Sequence, residues 1–216
     1  MVLFPRDFLR VPGVPMPSIA PASKAATSAC GPWTWDDFVA LPTGDRRELL
    51  DGHLFEVEIP TDMHEFIVAE LIRLLGNWAV DNGGKVLASG YKVKISTGRG
   101  VMPDVQFYRP GRKTARQGLV EGAPDLAVEV ISPTSRGIDR VTKLGYYQQI
   151  GTPEYWLVDP DAQTIEVFVQ EGGRWWLRER AIWPIGPEAG GDATCQPASF
   201  AGLVVSLPRL FEGNDS

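Results

Sequence analysis

The stretch that decides the fold is residues 124–147, PDLAVEVISPTSRGIDRVTKLGYY. Asp125 to Ile131 is an apolar run interrupted by one carboxylate, Glu129. As a strand it puts Leu126, Val128 and Val130 on one face and Ala127, Glu129 and Ile131 on the other. A strand apolar on both faces belongs inside a sheet covered on both sides. A lone Glu there must be paired, protonated or bound to a cation, because burying a bare charge is costly. After the turn Ser132-Pro133-Thr134-Ser135, a helix beginning near Gly137 sets Asp139, Lys143 and Tyr147 four residues apart, on one face.

A second carboxylate belongs with the first. Val101 to Tyr108, VMPDVQFY, reads as a strand whose first residues include Asp104, with Pro103 tolerated at its opening. An Asp opening one strand, a Glu within the next and a nearby Lys suit one divalent cation. Carboxylate oxygens are hard ligands of the kind Mg²⁺ takes, and a Lys can hold a water or offset charge on a phosphoryl oxygen.

Pro103-Asp104, Glu129, Asp139-x-x-x-Lys143-x-x-x-Tyr147 and then Gly151 to Pro160, GTPEYWLVDP, together resemble the Uma-two family of the PD-(D/E)xK nuclease superfamily. Arg47 to Leu54, RELLDGHL, and His64 also match its pattern, so the resemblance runs from about residue 33 to residue 207. It implies an α/β fold: a restriction-endonuclease-like mixed central sheet flanked by helices, with additional β-hairpins. It implies Asp104, Glu129 and Lys143 as catalytic residues. Asp104, Glu129 and the carbonyl of Val130 would bind the metal, Mg²⁺ or alternatively Mn²⁺. Candidates for supporting roles are Glu48, His64, Ser132, Asp139 and Tyr147; a strand Glu paired with Arg46 or Arg47, a capping or surface His, a turn-forming Ser, a helix N-terminal cap and a packing Tyr explain the same residues. One departure stands out. The superfamily places a Lys two residues after the Glu, and that position is Ile131; the Lys has moved to the helix, as Lys143.

Composition sets bounds. The 216 residues suffice for one domain with a substantial core. Hydrophobic residues make up 44% and charged residues 22%, ordinary for a soluble globular chain. No run of apolar residues is long enough for a membrane helix, so a cytoplasmic protein is expected. Cys30 and Cys195 lack metal-ligand spacing, and free thiols are favoured over a disulfide. The net charge of −6 argues against a broadly basic nucleic-acid-binding surface. Residues 85–116 nevertheless hold eight Lys and Arg against one acid, Asp104. Among these, Lys92, Lys94, Arg99, Arg112 and Lys113 are candidates for contacting the DNA backbone, because phosphate contacts need a basic patch rather than a basic protein. Solvated faces of a hairpin and a loop explain the same residues equally well.

Residues 1–32 carry scattered prolines and an Ala/Ser/Thr tract and read as a disordered arm; 33–207 read as the domain and 208–216 as a tail. Thr34 caps a short helix to Leu41, with Asp36 and Asp37 where the helix dipole favours acids. Arg46–Leu50 and His53–Ile59 form a hairpin around Asp51-Gly52. Asp62–Asp81 is a long helix, with Asp62 and Glu65 at capping-box spacing and Asn82-Gly83-Gly84 as its stop. His64-Glu65 is not a zinc-protease motif, because position 68 is Val. Lys85–Ala88 and Tyr91–Ser96 read as a second hairpin. Thr164–Val169 and Arg174–Glu179 read as a third, around Gly172-Gly173. Trp175, Trp176 and Trp183 suit edge packing or a subunit contact better than base stacking. Leu203–Leu207 closes the sheet.

The functional expectation is a Mg²⁺-dependent endonuclease hydrolysing DNA phosphodiester bonds, acting as a homodimer because two-fold symmetry reaches both strands. Its rival is a non-catalytic nucleic-acid-binding or dimeric assembly module on the same fold, and RNA or a small phosphodiester is a further substrate class.

Overall fold

The computed structural model describes residues 32–88, 90–113, 119–120, 122–133, 135–183 and 193–212. The expected N-terminal arm and Cys30 lie outside the described residues.

The organising strand forms as its pattern dictates. β7 (Leu126–Val130) is buried along its whole length. It lies inside a six-stranded sheet in the order β10 (Arg174–Ile182), β9 (Thr164–Glu171), β8 (Glu154–Asp159), β7, β6 (Val105–Tyr108), β3 (Lys85–Ala88). Its neighbours are β6 (Val105–Tyr108), antiparallel, and β8 (Glu154–Asp159), parallel. The parallel pair needs a crossover. It is made by a helix that passes through a π-helical segment, Ile138–Lys143, into α3, Leu144–Ile150. Gly151 ends this helix at φ 76°, a left-handed conformation that favours glycine. Beyond β8 the sheet continues through the hairpin of β9 (Thr164–Glu171) and β10 (Arg174–Ile182). On the other side β3 (Lys85–Ala88) pairs with β6.

The two faces of β7 take different partners. Leu126, Val128 and Val130 pack with Ile67, Val68, Leu71 and Leu75 of α2 (Asp62–Asn82). Ala127 and Ile131 pack with Tyr146 and Tyr147 of the crossover helix. That second core also takes in Leu50, Val93, Ile95 and Val101 from a separate four-stranded antiparallel sheet. Its order is β2 (His53–Glu56), β1 (Arg47–Leu50), β5 (Arg99–Val101), β4 (Val93–Ser96). The crossover helix is therefore held between two sheets. α1 (Trp35–Val39), capped by Thr34 in a reciprocal capping box, closes the far side of the small sheet with Trp35 and Phe38.

Several local expectations change. Lys85–Ala88 and Tyr91–Ser96 do not form a hairpin: β3 joins the large sheet through β6, and β4 joins the small sheet through β5. The strand expected over Val101–Tyr108 is broken, with β5 ending at Val101 and β6 starting at Val105. Met102-Pro103-Asp104 is thus the seam where the chain leaves one sheet for the other. α2 is capped by Thr61, whose hydroxyl accepts from His64 N, rather than by Asp62. The closing strand shrinks to β12 (Val205–Ser206), paired with β11 (Thr194–Cys195). Leu207–Glu212 then forms a helix, α4, whose Leu210 and Phe211 are buried, so packing continues past residue 207. Among the described residues no helix is long and apolar enough to cross a membrane.

Candidate functional site

Glu129 points from β7 towards the crossover helix, and its carboxylate is fully engaged. Lys143 Nζ donates to Oε2 at 3.0 Å, and the Tyr147 hydroxyl donates to Oε1 at 2.7 Å. Both donors are buried, as is Glu129 itself. Asp139, one turn before Lys143, places Oδ1 at 3.4 Å from Nζ, and the Tyr155 hydroxyl donates to the Asp139 carbonyl. The i, i+4 spacing of Asp139, Lys143 and Tyr147 thus becomes one face aimed at Glu129, and a π-helical segment carries two of the three. Such segments often occur at functional positions in helices.

The small sheet supplies a third carboxylate to the same ammonium. Glu48, on β1, lies 3.2 Å from Lys143 Nζ and accepts from Met102 N at 2.8 Å. At the seam, Asp104 accepts from Val130 N at 2.8 Å through Oδ2. His64, in the first turn of α2, brings Nε2 to 3.4 Å from that same oxygen. Among the described residues His64 Nδ1 is buried without a hydrogen-bond partner. Five elements therefore converge: β1, the start of α2, the seam before β6, β7 and the crossover helix.

Burial pushes the Glu129 carboxyl well above its usual range; Lys143 opposes this, and Asp139, Asp104 and Glu48 add to it. Burial and Asp139 also raise Glu48, against Lys143 and the Met102 N–H. Burial alone works to lower Lys143, but Glu129, Glu48, Asp139 and Asp104 outweigh it and hold the amine protonated well above its usual range. Burial likewise works to lower His64, and the Asp104 carboxylate, with Glu65 and the Val130 carbonyl, overrides it and favours imidazolium. Burial, followed by Glu129, drives the Tyr147 phenol up, so it stays a donor.

Among the described residues four carboxyl groups thus gather around one ammonium and one imidazole. Among the described residues no three carboxylate, imidazole or thiol groups stand as a ready-made metal cage. The Lys143 ammonium sits at the focus of three of the carboxylates. Asp139 Oδ1 has no hydrogen-bond partner among the described residues. In donor type and charge, the residues present fit a hard divalent cation.

A family model described as "Putative restriction endonuclease", Uma2, matches residues 35–206. The chain belongs to the Uma2 family. The crystal structure of "a putative nuclease belonging to DUF820" from Anabaena variabilis ATCC 29413 superposes with a TM-score of 0.66 at 22% identity. That match covers 84% of this chain and 99% of the other. It shows that the mixed α/β architecture is shared with that protein. "Uncharacterized protein sll1609" of Synechocystis sp. is 26% identical over 136 residues, covering 62% of this chain and 77% of that protein.

Of the residues singled out in the sequence, the structure brings Glu48, Asp104, Glu129, Asp139, Lys143, Tyr147 and His64 into this Uma2 site, with the Val130 backbone beside Asp104. The Ser132 hydroxyl accepts from Ser135 N, and its own N donates to Ser135 Oγ, closing the turn after β7. The basic segment is largely occupied. Lys92 Nζ donates to the Phe38 carbonyl at 2.6 Å. Lys94 lies over the Trp35 ring, Arg99 pairs with Asp51, and Arg112 pairs with Asp125. Lys113 is exposed. Tyr155 escaped the sequence reading because it resembles any aromatic of a buried strand. Only its hydrogen bond to the helix backbone reveals that it positions Asp139.

Proposed function

We propose that this Uma2 chain is a divalent-metal-dependent endonuclease that hydrolyses DNA phosphodiester bonds. The observation that carries the reading is Glu129. It is a strand carboxylate buried between Lys143 and Tyr147, with Asp104 close by at the seam before β6, where it accepts from Val130 N, in a chain of the Uma2 family. Mg²⁺, or Mn²⁺ in its place, would be held by Asp104, Glu129 and the Val130 carbonyl. Such an ion, when bound, polarises a phosphoryl oxygen and lowers the pKa of a ligated water.

The chain's own residues divide the remaining work. Among the described residues Lys143 is the ammonium at the focus. Released from Glu129, it orients the attacking water and offsets charge on the phosphoryl oxygens in the transition state. Glu48 from the small sheet and Asp139 from the crossover helix hold that ammonium in place. Tyr147 fixes the orientation of Glu129, and His64 fixes Asp104. Two copies acting about a two-fold axis would reach both strands of a duplex.

The test is cleavage of supercoiled and linear DNA with Mg²⁺ or Mn²⁺. Wild type is expected to cut, and Glu129→Gln and Lys143→Met to lose at least about 100-fold in rate, the usual scale for removing a key charge-stabilising group. Equal cleavage by all three proteins overturns the assignment. One observation favours a second reading, a non-catalytic DNA-binding module: both Glu129 oxygens are already satisfied inside the protein. Salt-sensitive DNA binding with no turnover in either metal supports that reading.

A further inference from the structure

The surface outside the site is divided by charge in an unusual way. From Glu48 to Ile72 the chain contains no Lys or Arg. Within that span Phe55, Val57, Ile59, Met63 and Phe66 are all exposed, and Ile59 is 80% exposed. They run from β2, the edge strand of the small sheet, into the first turn of α2. Exposed Glu56, Asp62 and Glu65 rim them. Single exposed apolar residues are ordinary, but five within twelve positions, interleaved with exposed acids and no Lys or Arg, are the composition of an interaction surface. Nucleic acid is a poor fit, because phosphates would meet carboxylates.

The complementary surface lies on the same chain. β10 is the edge strand of the large sheet. Its sequence from 174 to 180 is RWWLRER, three Arg to one Glu. Trp176 and Leu177 are each 51% exposed, and Ile182 is exposed as well. The pairing register shifts between Leu177 and Glu179, and Trp176, Leu177 and Arg178 are all exposed in succession. Arg178 pairs with Glu171 and Arg180 contacts Glu166, so both guanidinium groups are held at this edge while remaining about half exposed. Trp175, by contrast, turns inward and donates to the Leu144 carbonyl.

We propose that the acid-rimmed apolar patch of residues 55–66 docks onto the Arg-rimmed β10 edge of a second copy of this chain. The charge complementarity between the two surfaces selects that occupant. Made reciprocally, the contact closes a two-fold dimer with two identical interfaces. The patch borders the acidic site, since Phe55 is the cross-strand partner of Glu48 and Met63 precedes His64. The contact therefore brings a basic strand of the partner subunit to the rim of a site whose own rim is acidic. The dimer does not depend on the nuclease reading.

The test is sedimentation of the full chain at low and moderate salt, with charge-swapped variants. Wild type is expected to be dimeric at micromolar concentration and to dissociate as salt rises. A basic-patch variant, Glu56→Lys with Glu65→Lys, and an acidic-edge variant, Arg174→Glu with Arg178→Glu, are each expected to weaken dimerisation at least tenfold. Combining all four substitutions in one chain is expected to restore the dimer, an outcome general destabilisation cannot produce. Circular dichroism confirms folding of each variant. A monomeric wild type overturns the proposal, as does a dimer unmoved by either swap or a four-fold variant that stays monomeric. Swaps that change DNA affinity and not mass assign the patch to nucleic acid instead.

Discussion

At Glu129, burial works against ionisation and Lys143 works for it, while Asp139, Asp104 and Glu48 side with burial. The sign of the pH dependence follows. The folded-state pKa lies above the ordinary value of 4.5, so the folded chain holds the proton longer than the unfolded chain. Stability contributed by this group is then full below pH 4.5 and is lost as pH rises towards the folded pKa. Glu129→Gln has no such loss. Its stability relative to wild type, measured by urea unfolding without divalent metal, is expected to rise steadily as pH increases above 4.5. A difference that stays flat or falls with pH contradicts the assigned environment. Lys143 behaves as the opposite charge. Replacing it with Met strands three buried carboxylates and is expected to cost about 3–5 kcal/mol at neutral pH. A loss below about 1 kcal/mol would mean that water already reaches the cluster.

The elements explain why some of this was readable in the sequence and some was not. The two faces of β7 and the Asp139-Lys143-Tyr147 face follow from local periodicity, and local periodicity survives folding. The pairing of β3 and β4 does not follow from it. Each is a good strand, yet each finds a partner elsewhere, because the chain leaves the large sheet after Ala88, pairs β4 with β5 in the small sheet, and returns only at the seam before β6. The cap of α2 was misplaced by one residue because Thr61 and Asp62 are both good cap residues. Replacing Thr61 by Ala is expected to cost about 1 kcal/mol in thermal or denaturant unfolding, while Asp62→Asn, which leaves that hydroxyl in place, should cost much less. Gly100 makes the same point for packing. A Cβ there would stand 2.8 Å from ring atoms of both Phe38 and Trp35. Gly100→Ala is expected to destabilise by about 1–3 kcal/mol by forcing α1 off the small sheet. A neutral substitution would show that α1 sits loosely.

Across the whole molecule, the site exists because two sheets share one helix. β1 brings Glu48 from the small sheet, β7 brings Glu129 from the large one, and the seam between them brings Asp104. The resemblance read in the sequence named these residues, but spacing alone could not have joined them, because Glu48 and Lys143 are 95 positions apart. The basic segment shows the converse. Its charge was plain in the sequence, yet Lys92 and Lys94 serve α1 and Arg99 and Arg112 serve nearby carboxylates. Lys92→Met is therefore expected to lower the melting temperature more than it lowers DNA affinity. The reverse ranking would return Lys92 to the DNA-contacting surface.

A nuclease role for this site requires the carboxylate cluster to take a divalent cation. Calorimetric titration of Mn²⁺ or Mg²⁺ into wild type, Asp104→Ala and Glu129→Ala at near-neutral pH, alone and with a non-cleavable DNA duplex, addresses this directly. One ion bound per wild-type chain, with binding lost in both variants, is the predicted result. Folded wild type that binds no ion even with DNA present, or variants that bind as wild type does, would contradict it.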